Sequence, residues 1–354
     1  MKKFTAILSL VLAFCLLSGC AGTTVVYYSD CTCPVDSHVQ TPVTEAPVLA
    51  EGELKTGLAI VASATDSAEG EAKYDVTVVA VLVDGDGIIH DCYIDSIGTS
   101  VKFGADGVIT SDVAAEILTK NELGDNYGMK AKDGEWGAKY EWYEQAAALA
   151  QYAIGKDTIE LRAGAVNESG KAADADLAST ATIYLGGYVE AIEVAVATAQ
   201  NLGAQAGDTL KVAIMASLTD SKSADAENAG NAQLNVDATA ITMKGDVITS
   251  CVLDSVQAKV GFDATGAITS GNDGIFATKN QLGEQYGMKA IAYAKYEWNE
   301  QAANFAAYVT GKTAAEVAGI AITETTKPVE GTDLAASVTI AIGGFQALIA
   351  KACL

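Results

Sequence analysis

Basic side chains are scarce in this chain of 354 residues. It has 22 lysines and arginines against 45 aspartates and glutamates, a formal net charge of −23 at pH 7, and Arg162 is its only arginine. Nucleic acids are bound through their phosphates by fields of lysine and arginine, and bidentate phosphate contacts need arginine in particular. We therefore expect no nucleic-acid partner.

Histidine is scarcer still, because His38 and His90 are the only two. This excludes a three-histidine metal site and leaves few bases for a Ser-His-Asp arrangement. No nucleophile–base set and no metal-ligand spacing stands out elsewhere in the sequence. Half of the residues are apolar, which suffices for a real core and, at this length, for about two domains. The sequence therefore gives little support to a hydrolase or a metal-dependent enzyme, and we expect a protein that is not an enzyme.

The N-terminus combines two lysines with a short apolar run. Lys2 and Lys3 precede the run Phe4–Leu17, which is short for a membrane span and ends in Leu17-Ser18-Gly19-Cys20. This segment resembles a bacterial lipoprotein signal with its lipobox. The resemblance implies that residues 1–19 are a signal peptide, that Cys20 is acylated, and that lipid anchors the protein at the extracytoplasmic face of the bacterial cell membrane. The alternative is an ordinary signal peptide that happens to contain a cysteine.

Residues 20–52 are predicted to be a flexible tether. They hold three of the four prolines and show neither the helical nor the strand period of apolar residues. Cys31 and Cys33 lie here in a C-x-C pattern, which is poor geometry for a disulfide. Partner thiols and further acylation both stay open for this pair.

The rest of the sequence is written twice. The segments 59–67, 119–131 and 139–147 recur, in the same order, at 213–221, 278–290 and 295–303. Such self-similarity indicates a tandem duplication. We predict two homologous domains, residues 53–200 and 208–354, joined by a short connector. They are called the first half and the second half below.

Each copy is predicted to begin with strands and to end with helices. Residues 74–95 are rich in valine and isoleucine and are broken at 84–87 by a hairpin signal. Helices over about 111–123 and 140–154 are expected to follow. Strands before helices within one unit indicate an α+β fold, in which each domain is a mostly antiparallel sheet with helices packed on it.

A more specific pattern lies just before the last helix of the first half. Asp176-Leu-Ala-Ser-Thr-Ala-Thr182 resembles the flavinylation motif of the FMN-binding domain family: Asp, two variable residues, Ser or Thr, usually Gly, then Ala-Thr. In these extracytoplasmic proteins a flavin transferase joins the phosphate of FMN to the last threonine hydroxyl. The resemblance implies that Thr182 is the acceptor, with Asp176, Ser179 and Ala181 at the flanking positions.

One residue departs from the motif, since Thr180 stands where the family usually has glycine. If this position needs a positive φ, a β-branched residue is costly there.

We expect the last helix to begin near Thr182 and to present free N–H groups to the phosphate. The alternative is that Asp176, Ser179 and Thr180 are ordinary residues of a helix start.

The second half departs further from the motif. Asp333-Leu-Ala-Ala-Ser-Val-Thr339 keeps the aspartate and the final threonine, but Ala336 replaces the hydroxyl residue. We therefore expect no flavin on Thr339, and Asp333 and Thr339 are weaker candidates.

Lysines and tyrosines repeated in both halves are further weak candidates. A lysine can balance a bound anion and a tyrosine can stack on a flat ring. The alternative is that the tyrosines fill the helix–sheet interface while the lysines pair with carboxylates. The residues are Tyr127, Lys130, Tyr286 and Lys289.

Two functions stay open at this point. In the first, FMN on Thr182 makes the protein a membrane-tethered electron carrier, which needs no catalytic base. A flavin transferase and extracytoplasmic redox partners would then be its partners. In the second, the protein is a redox-inert binding or structural lipoprotein with two degenerate FMN-binding-like modules.

Overall fold

Long antiparallel strands open each half of the chain. The computed structural model describes residues 49–130, 138–291 and 294–354, so that Cys20, Cys31 and Cys33 lie outside the described residues. The strands are β1 (Lys55–Ser63), β2 (Glu71–Val83), β3 (Ile89–Lys102), β4 (Thr209–Ser217), β5 (Gly230–Lys244), β6 (Val247–Phe262), β7 (Ile268–Ser270) and β8 (Ile275–Phe276).

Helices follow the long strands in each half. In the first half they are α1 (Lys120–Leu123), α2 (Trp142–Ala153), α3 (Thr158–Ala165), α4 (Ala175–Thr180) and α5 (Gly186–Ala197). In the second half they are α6 (Lys279–Leu282), α7 (Met288–Ile291), α8 (Trp298–Val309), α9 (Ala314–Ala318) and α10 (Gly343–Ala352). Turns of 3₁₀ helix lie at Gly124–Tyr127, Gly283–Tyr286 and Leu334–Ala336. No helix within the described ranges is both long and apolar enough to cross a membrane.

The strands form two four-stranded sheets, in the orders β3-β2-β1-β8 and β4-β5-β6-β7. All of these strand pairs are antiparallel. β8 belongs to the second half, yet it extends the first sheet, with Ser63 opposite Ile275 and Ala62 opposite Phe276. Backbone pairing therefore joins the two halves.

One face of each sheet packs against the other sheet. Because side chains alternate along a strand, Tyr74, Val76 and Val78 of β2 point into a core shared with β5 and β6, whereas Val79 and Val81 point away from it. Residues Leu49–Leu354 accordingly form one compact unit.

The opposite face of each sheet is covered by helices of its own half. In the first half Trp142 of α2 and Ile192 of α5 are buried against this face, and in the second half Trp298 of α8 and Ile349 of α10 are buried in the same way. The layers follow the order helices, sheet, sheet, helices. The prediction of an α+β fold with antiparallel sheets is confirmed.

The predicted helices agree with the structure unequally. The helix expected over 140–154 is α2. The helix expected over 111–123 is wrong, because only Lys120–Leu123 is helical there. The hydroxyl oxygen of Ser111 accepts the N–H of Lys102 at 2.8 Å, and Thr119 forms the capping box of α1 with Glu122. Ser111 therefore accepts a hydrogen bond from the last residue of the edge strand β3 and does not start a helix.

Candidate functional site

The side chain of Gln145 anchors the turn that contains Thr182. Its Oε1 accepts the N–H of Thr182 at 2.7 Å and the N–H of Ile183 at 3.1 Å, and the Thr182 hydroxyl donates to it at 3.2 Å. Its Nε2 donates to the carbonyl of Tyr140 at 2.9 Å. Gln145 is fully buried, so these bonds satisfy an amide whose unpaired burial would be costly.

Thr182 itself is exposed. α5 begins only at Gly186, and its N-cap residue Leu185 provides no side-chain capping hydrogen bond. The expectation that the helix begins near Thr182 is therefore wrong, because Gln145 takes the N–H groups at the threonine and the helix starts beyond it. A Cβ built on Gly186 or on Gly187 would meet no atom within 4 Å. The positive end of the helix dipole thus faces open space just after the Thr182 turn.

A lysine that the motif does not mark lies at this turn. The Nζ of Lys171 donates to the carbonyl oxygen of Thr182 at 2.7 Å and lies 4.8 Å from the ring centroid of Tyr184. Tyr184 is 69% exposed. Sequence reasoning missed Lys171 because it lies in the loop before α4, outside the motif. Its ammonium therefore supplies positive charge at the carbonyl oxygen of the candidate acceptor residue.

The flanking motif residues build the short helix α4. Asp174, and not Asp176, is its N-cap residue, and its Oδ1 accepts the N–H of Asp176 at 2.9 Å. Ser179 is exposed, and its hydroxyl donates to the carbonyl of Asp176 at 2.7 Å. Ala181 is 1% exposed and packs in the helix-side core. These residues shape the segment that leads into the Thr182 turn.

Thr180 carries no backbone strain. It is the last residue of α4, and its hydroxyl donates to the carbonyl of Leu177 at 3.0 Å. Among the non-glycine residues that the structure describes, only Thr326 has a positive φ. The absence of the family's glycine at this position therefore costs nothing in conformational energy.

Gln301 holds the Thr339 turn of the second half with almost the same distances. Its Oε1 accepts the N–H of Thr339 at 2.7 Å and the N–H of Ile340 at 3.2 Å, and the Thr339 hydroxyl donates to it at 3.2 Å. Asp333 precedes the 3₁₀ turn Leu334–Ala336 and forms no side-chain capping hydrogen bond. The glutamine–threonine contact is thus part of the fold in both halves. The signal that reveals it in the sequence is the repeated Glu-Gln-Ala-Ala segment.

The two repeated lysines among the weaker candidates are engaged in ion pairs. The Nζ of Lys130 lies 2.9 Å from Glu144 Oε2, and the Nζ of Lys289 lies 2.8 Å from Glu300 Oε2. The hydrogen bond to the carboxylate raises the pKa of each lysine. These ammonium groups are therefore neutralised within the protein.

Tyr127 belongs to an aromatic cage around Lys120, a lysine outside the flavinylation motif. The Nζ of Lys120 lies 5.3 Å from the ring centroid of Tyr127 and 5.1 Å from that of Trp142, within the range of cation–π attraction. Burial lowers the pKa of Lys120, and the negative charges of Asp75 and Asp95 raise it in part.

The same cage recurs in the second half. The Nζ of Lys279 lies 5.2 Å from the ring centroid of Tyr286 and 4.8 Å from that of Trp298. The cage is therefore present in both halves. Any functional difference between the two cages must arise from the residues around them.

The groups around Thr182 suit a bound phosphate, whereas neither of the cavities described below would enclose a flavin ring there. The exposed residue Thr182, the ammonium of Lys171 and the open start of α5 suit an anion. Two cavities of about 290 and 420 Å³ lie in the second half, beside α9 and the Leu334–Ala336 turn, and neither borders Thr182. In the described part of the chain no three His, Cys, Asp or Glu side chains are grouped as a metal site requires. Because Thr182 is exposed, a flavin joined to it would be attached at the protein surface.

No known family, no curated protein and no solved structure matches this chain.

Proposed function

We propose that this chain is a lipid-anchored protein of the extracytoplasmic face of a bacterial cell membrane, and that it carries electrons through FMN attached to Thr182. The observation that carries the proposal is that the exposed residue Thr182 stands at the acceptor position of the motif, with the Lys171 ammonium bound to its carbonyl oxygen. Bound flavin supplies the redox chemistry. The protein supplies the attachment point and the charge around it.

Attachment at this oxygen would leave two of the three hydrogen bonds from the turn to Gln145 in place. Attachment forms a bond between phosphorus and Oγ1, breaks the bond from that phosphorus to the leaving group of the activated FMN donor that the transferase uses, and releases the hydroxyl proton. The 3.2 Å hydrogen bond from Thr182 Oγ1 to Gln145 is then lost. The two backbone N–H groups that donate to Gln145 at 2.7 and 3.1 Å remain bonded. The turn would therefore keep its anchor after attachment.

Mass spectrometry of the full chain tests the attachment. We expect coexpression with a flavin transferase to add the mass of one FMN, less one water, to the peptide that holds Thr182. The increment should vanish in Thr182→Ala and persist in Thr339→Ala, the matched variant of the second half. An unmodified Thr182 peptide after such coexpression contradicts the proposal.

The lipid anchor is tested separately at Cys20. In a bacterial host we expect the full chain to fractionate with membranes and to carry acyl chains on its N-terminal peptide. Cys20→Ala should release it into the soluble extracytoplasmic fraction. A membrane-bound Cys20→Ala variant speaks against anchoring through this residue.

A redox-inert lipoprotein is the second candidate, and one observation favours it. Gln301 and Thr339 repeat the distances of Gln145 and Thr182 to within 0.1 Å, although the motif around Thr339 is degraded. The turn therefore needs no flavin to explain it. Protein that stays colourless in the flavin absorption band after coexpression supports this alternative.

A further inference from the structure

The sheet surface next to the Lys120 cage is open in the first half. Gly98 of β3 lies opposite Asp75 of β2, and both residues are exposed. A Cβ built on Gly98 would have Asp75 Oδ1 as its nearest atom, at 3.8 Å. The charge of Asp75 also acts on both Lys120 and Tyr127. We call the four residues Asp75, Gly98, Lys120 and Tyr127 the ledge.

The second half fills the same place with a side chain. Gln257 stands at the position of Gly98, opposite Asn235. Its Oε1 accepts the hydroxyl of Tyr286 at 3.3 Å and its Nε2 donates to Asn235 Oδ1 at 3.4 Å. Gln257 thus bridges the sheet and the cage tyrosine, and its side chain occupies the place that Gly98 leaves open in the first half.

Helix α2 links the ledge to the Thr182 turn. Trp142 and Gln145 are three residues apart and lie on the same face of α2, about 4.5 Å apart along its axis. Trp142 forms one wall of the Lys120 cage and its Nε1 donates to the hydroxyl of Tyr188 at 3.0 Å. Gln145 holds Thr182. The attachment point and the ledge are therefore neighbouring contacts of one helix.

We infer that the ring of FMN joined to Thr182 rests on the ledge, with Tyr127 stacked against it and the ammonium of Lys120 beside it; this inference rests on the proposed function. Tyr127 is 36% exposed, so part of its ring is free to stack. Reduction adds negative charge to a flavin ring, and a nearby ammonium stabilises that charge. Lys120 accordingly raises the reduction potential of the flavin.

Gly98→Gln tests the ledge, because it installs the residue of the second half. The full chain is coexpressed with a flavin transferase, and the mass of the Thr182 peptide, the flavin fluorescence and the midpoint potential are measured. We expect the FMN increment to persist, the fluorescence to rise severalfold as the ring leaves Tyr127, and the potential to fall. Gln257→Gly, the reverse change in the second half, should alter none of the three.

Lys120→Gln tests the charge, with Lys279→Gln as its matched control in the equivalent cage. We expect the potential to fall in Lys120→Gln and to stay unchanged in Lys279→Gln, while both keep the FMN increment and both show the same loss of stability in urea. The stability readout separates a damaged fold from a missing charge.

The outcomes separate this inference from the proposed function. Wild-type protein without an FMN increment overturns both. If the FMN increment is intact but fluorescence and potential are unchanged in Gly98→Gln and Lys120→Gln, the flavin ring does not rest on the ledge. Attachment at Thr182 is then still supported. An equal fall of the potential in Lys120→Gln and Lys279→Gln also overturns it.

Discussion

The rings of Phe103 and Phe262 lie face to face, with their centroids 3.8 Å apart and their planes inclined by 6°. Phe103 directly follows β3, and Phe262 is the last residue of β6. Each ring therefore comes from the same point of its own half. Their stacking places equivalent residues on each other across the shared core.

Backbone hydrogen bonds around this stack are reciprocal. The N–H of Gly70 donates to the carbonyl of Gly266 at 3.1 Å, and the N–H of Ala224 donates to the carbonyl of Gly107 at 2.9 Å. In each case the loop between the first two long strands of one half meets the turn after the third strand of the other. This is the pattern of a self-complementary contact between two units of similar structure.

The stacked pair should be energetically coupled. Phe103→Ala and Phe262→Ala each remove a buried ring, and we expect each to lower the free energy of unfolding by about 3–5 kcal/mol. The double variant should lose less than the sum of the single losses, by about 0.5–1.5 kcal/mol, because the second truncation removes no stacking. Urea unfolding of the four proteins measures this coupling. Strict additivity would show that the two rings stabilise the protein independently.

Local patterns predicted the elements, and long-range contacts decided the rest. The apolar spacing of α2 and the valine-rich strands are properties of neighbouring residues, so they can be read from the sequence. The role of Gln145 depends on Thr182, 37 residues away. β8 consists of only Ile275 and Phe276, too few to show a period, and it is a strand only because β1 of the other half offers an edge.

The candidate site likewise has one part that the sequence predicts and another that depends on contacts between distant residues. The motif points to Thr182, but the positive charge beside it comes from Lys171 in a loop with no recognisable pattern. The sequence predicts a start of the last helix near Thr182, whereas α5 begins at Gly186. The buried Gln145 takes the N–H groups that would have begun the helix.

Removing the Gln145 amide should destabilise the protein strongly. Gln145→Ala leaves the N–H groups of Thr182 and Ile183 and the carbonyl of Tyr140 without their partner, and we expect a loss of about 2–4 kcal/mol in the free energy of unfolding. Gln151→Ala is the control, since Gln151 is exposed on the same helix; it should change stability by less than about 0.5 kcal/mol. Equal effects of the two substitutions in urea unfolding would contradict the anchoring role.

A methyl group at Gly57 should be poorly tolerated. A Cβ there would overlap the carbonyl oxygen of Ala195 on α5 and would lie 2.9 Å from Val81 Cγ2. We expect Gly57→Ala to cost about 1–3 kcal/mol through overpacking. Gly186→Ala, where a Cβ meets no atom within 4 Å, should be nearly neutral. Thermal unfolding of both variants compares them, and an unchanged midpoint for Gly57→Ala would show that α5 does not pack this closely on β1.

Asp254 should make the free energy of unfolding of the protein depend measurably on pH. Burial raises the pKa of Asp254 to about 6, although the N–H groups of Ser255 and Asn280 donate to its Oδ1 at 2.7 and 3.1 Å. Its pKa in the unfolded chain lies near 3.9, so between pH 4 and 6 the folded chain binds more protons at this site. Its contribution to stability is therefore largest below pH 4 and is lost as the pH rises through 6, by about 3 kcal/mol at most.

Asp254→Asn removes the titrating carboxyl group but keeps an acceptor oxygen for both N–H groups. It therefore isolates the contribution of Asp254 to the pH dependence of stability. We expect the free energy of unfolding of the wild type, minus that of Asp254→Asn, to increase as the pH falls from 6.5 to 4. Asp225→Asn should show the opposite slope, and at lower pH, because a lowered carboxylate pKa changes stability mainly below the ordinary value near 3.9. Hydrogen bonds from the N–H of Glu227 and from Asn228 lower the pKa of Asp225, so its stabilising effect is lost on acidification. Parallel pH profiles for the wild type and Asp254→Asn would mean that this carboxylate is hydrated enough in the folded protein to keep its ordinary pKa.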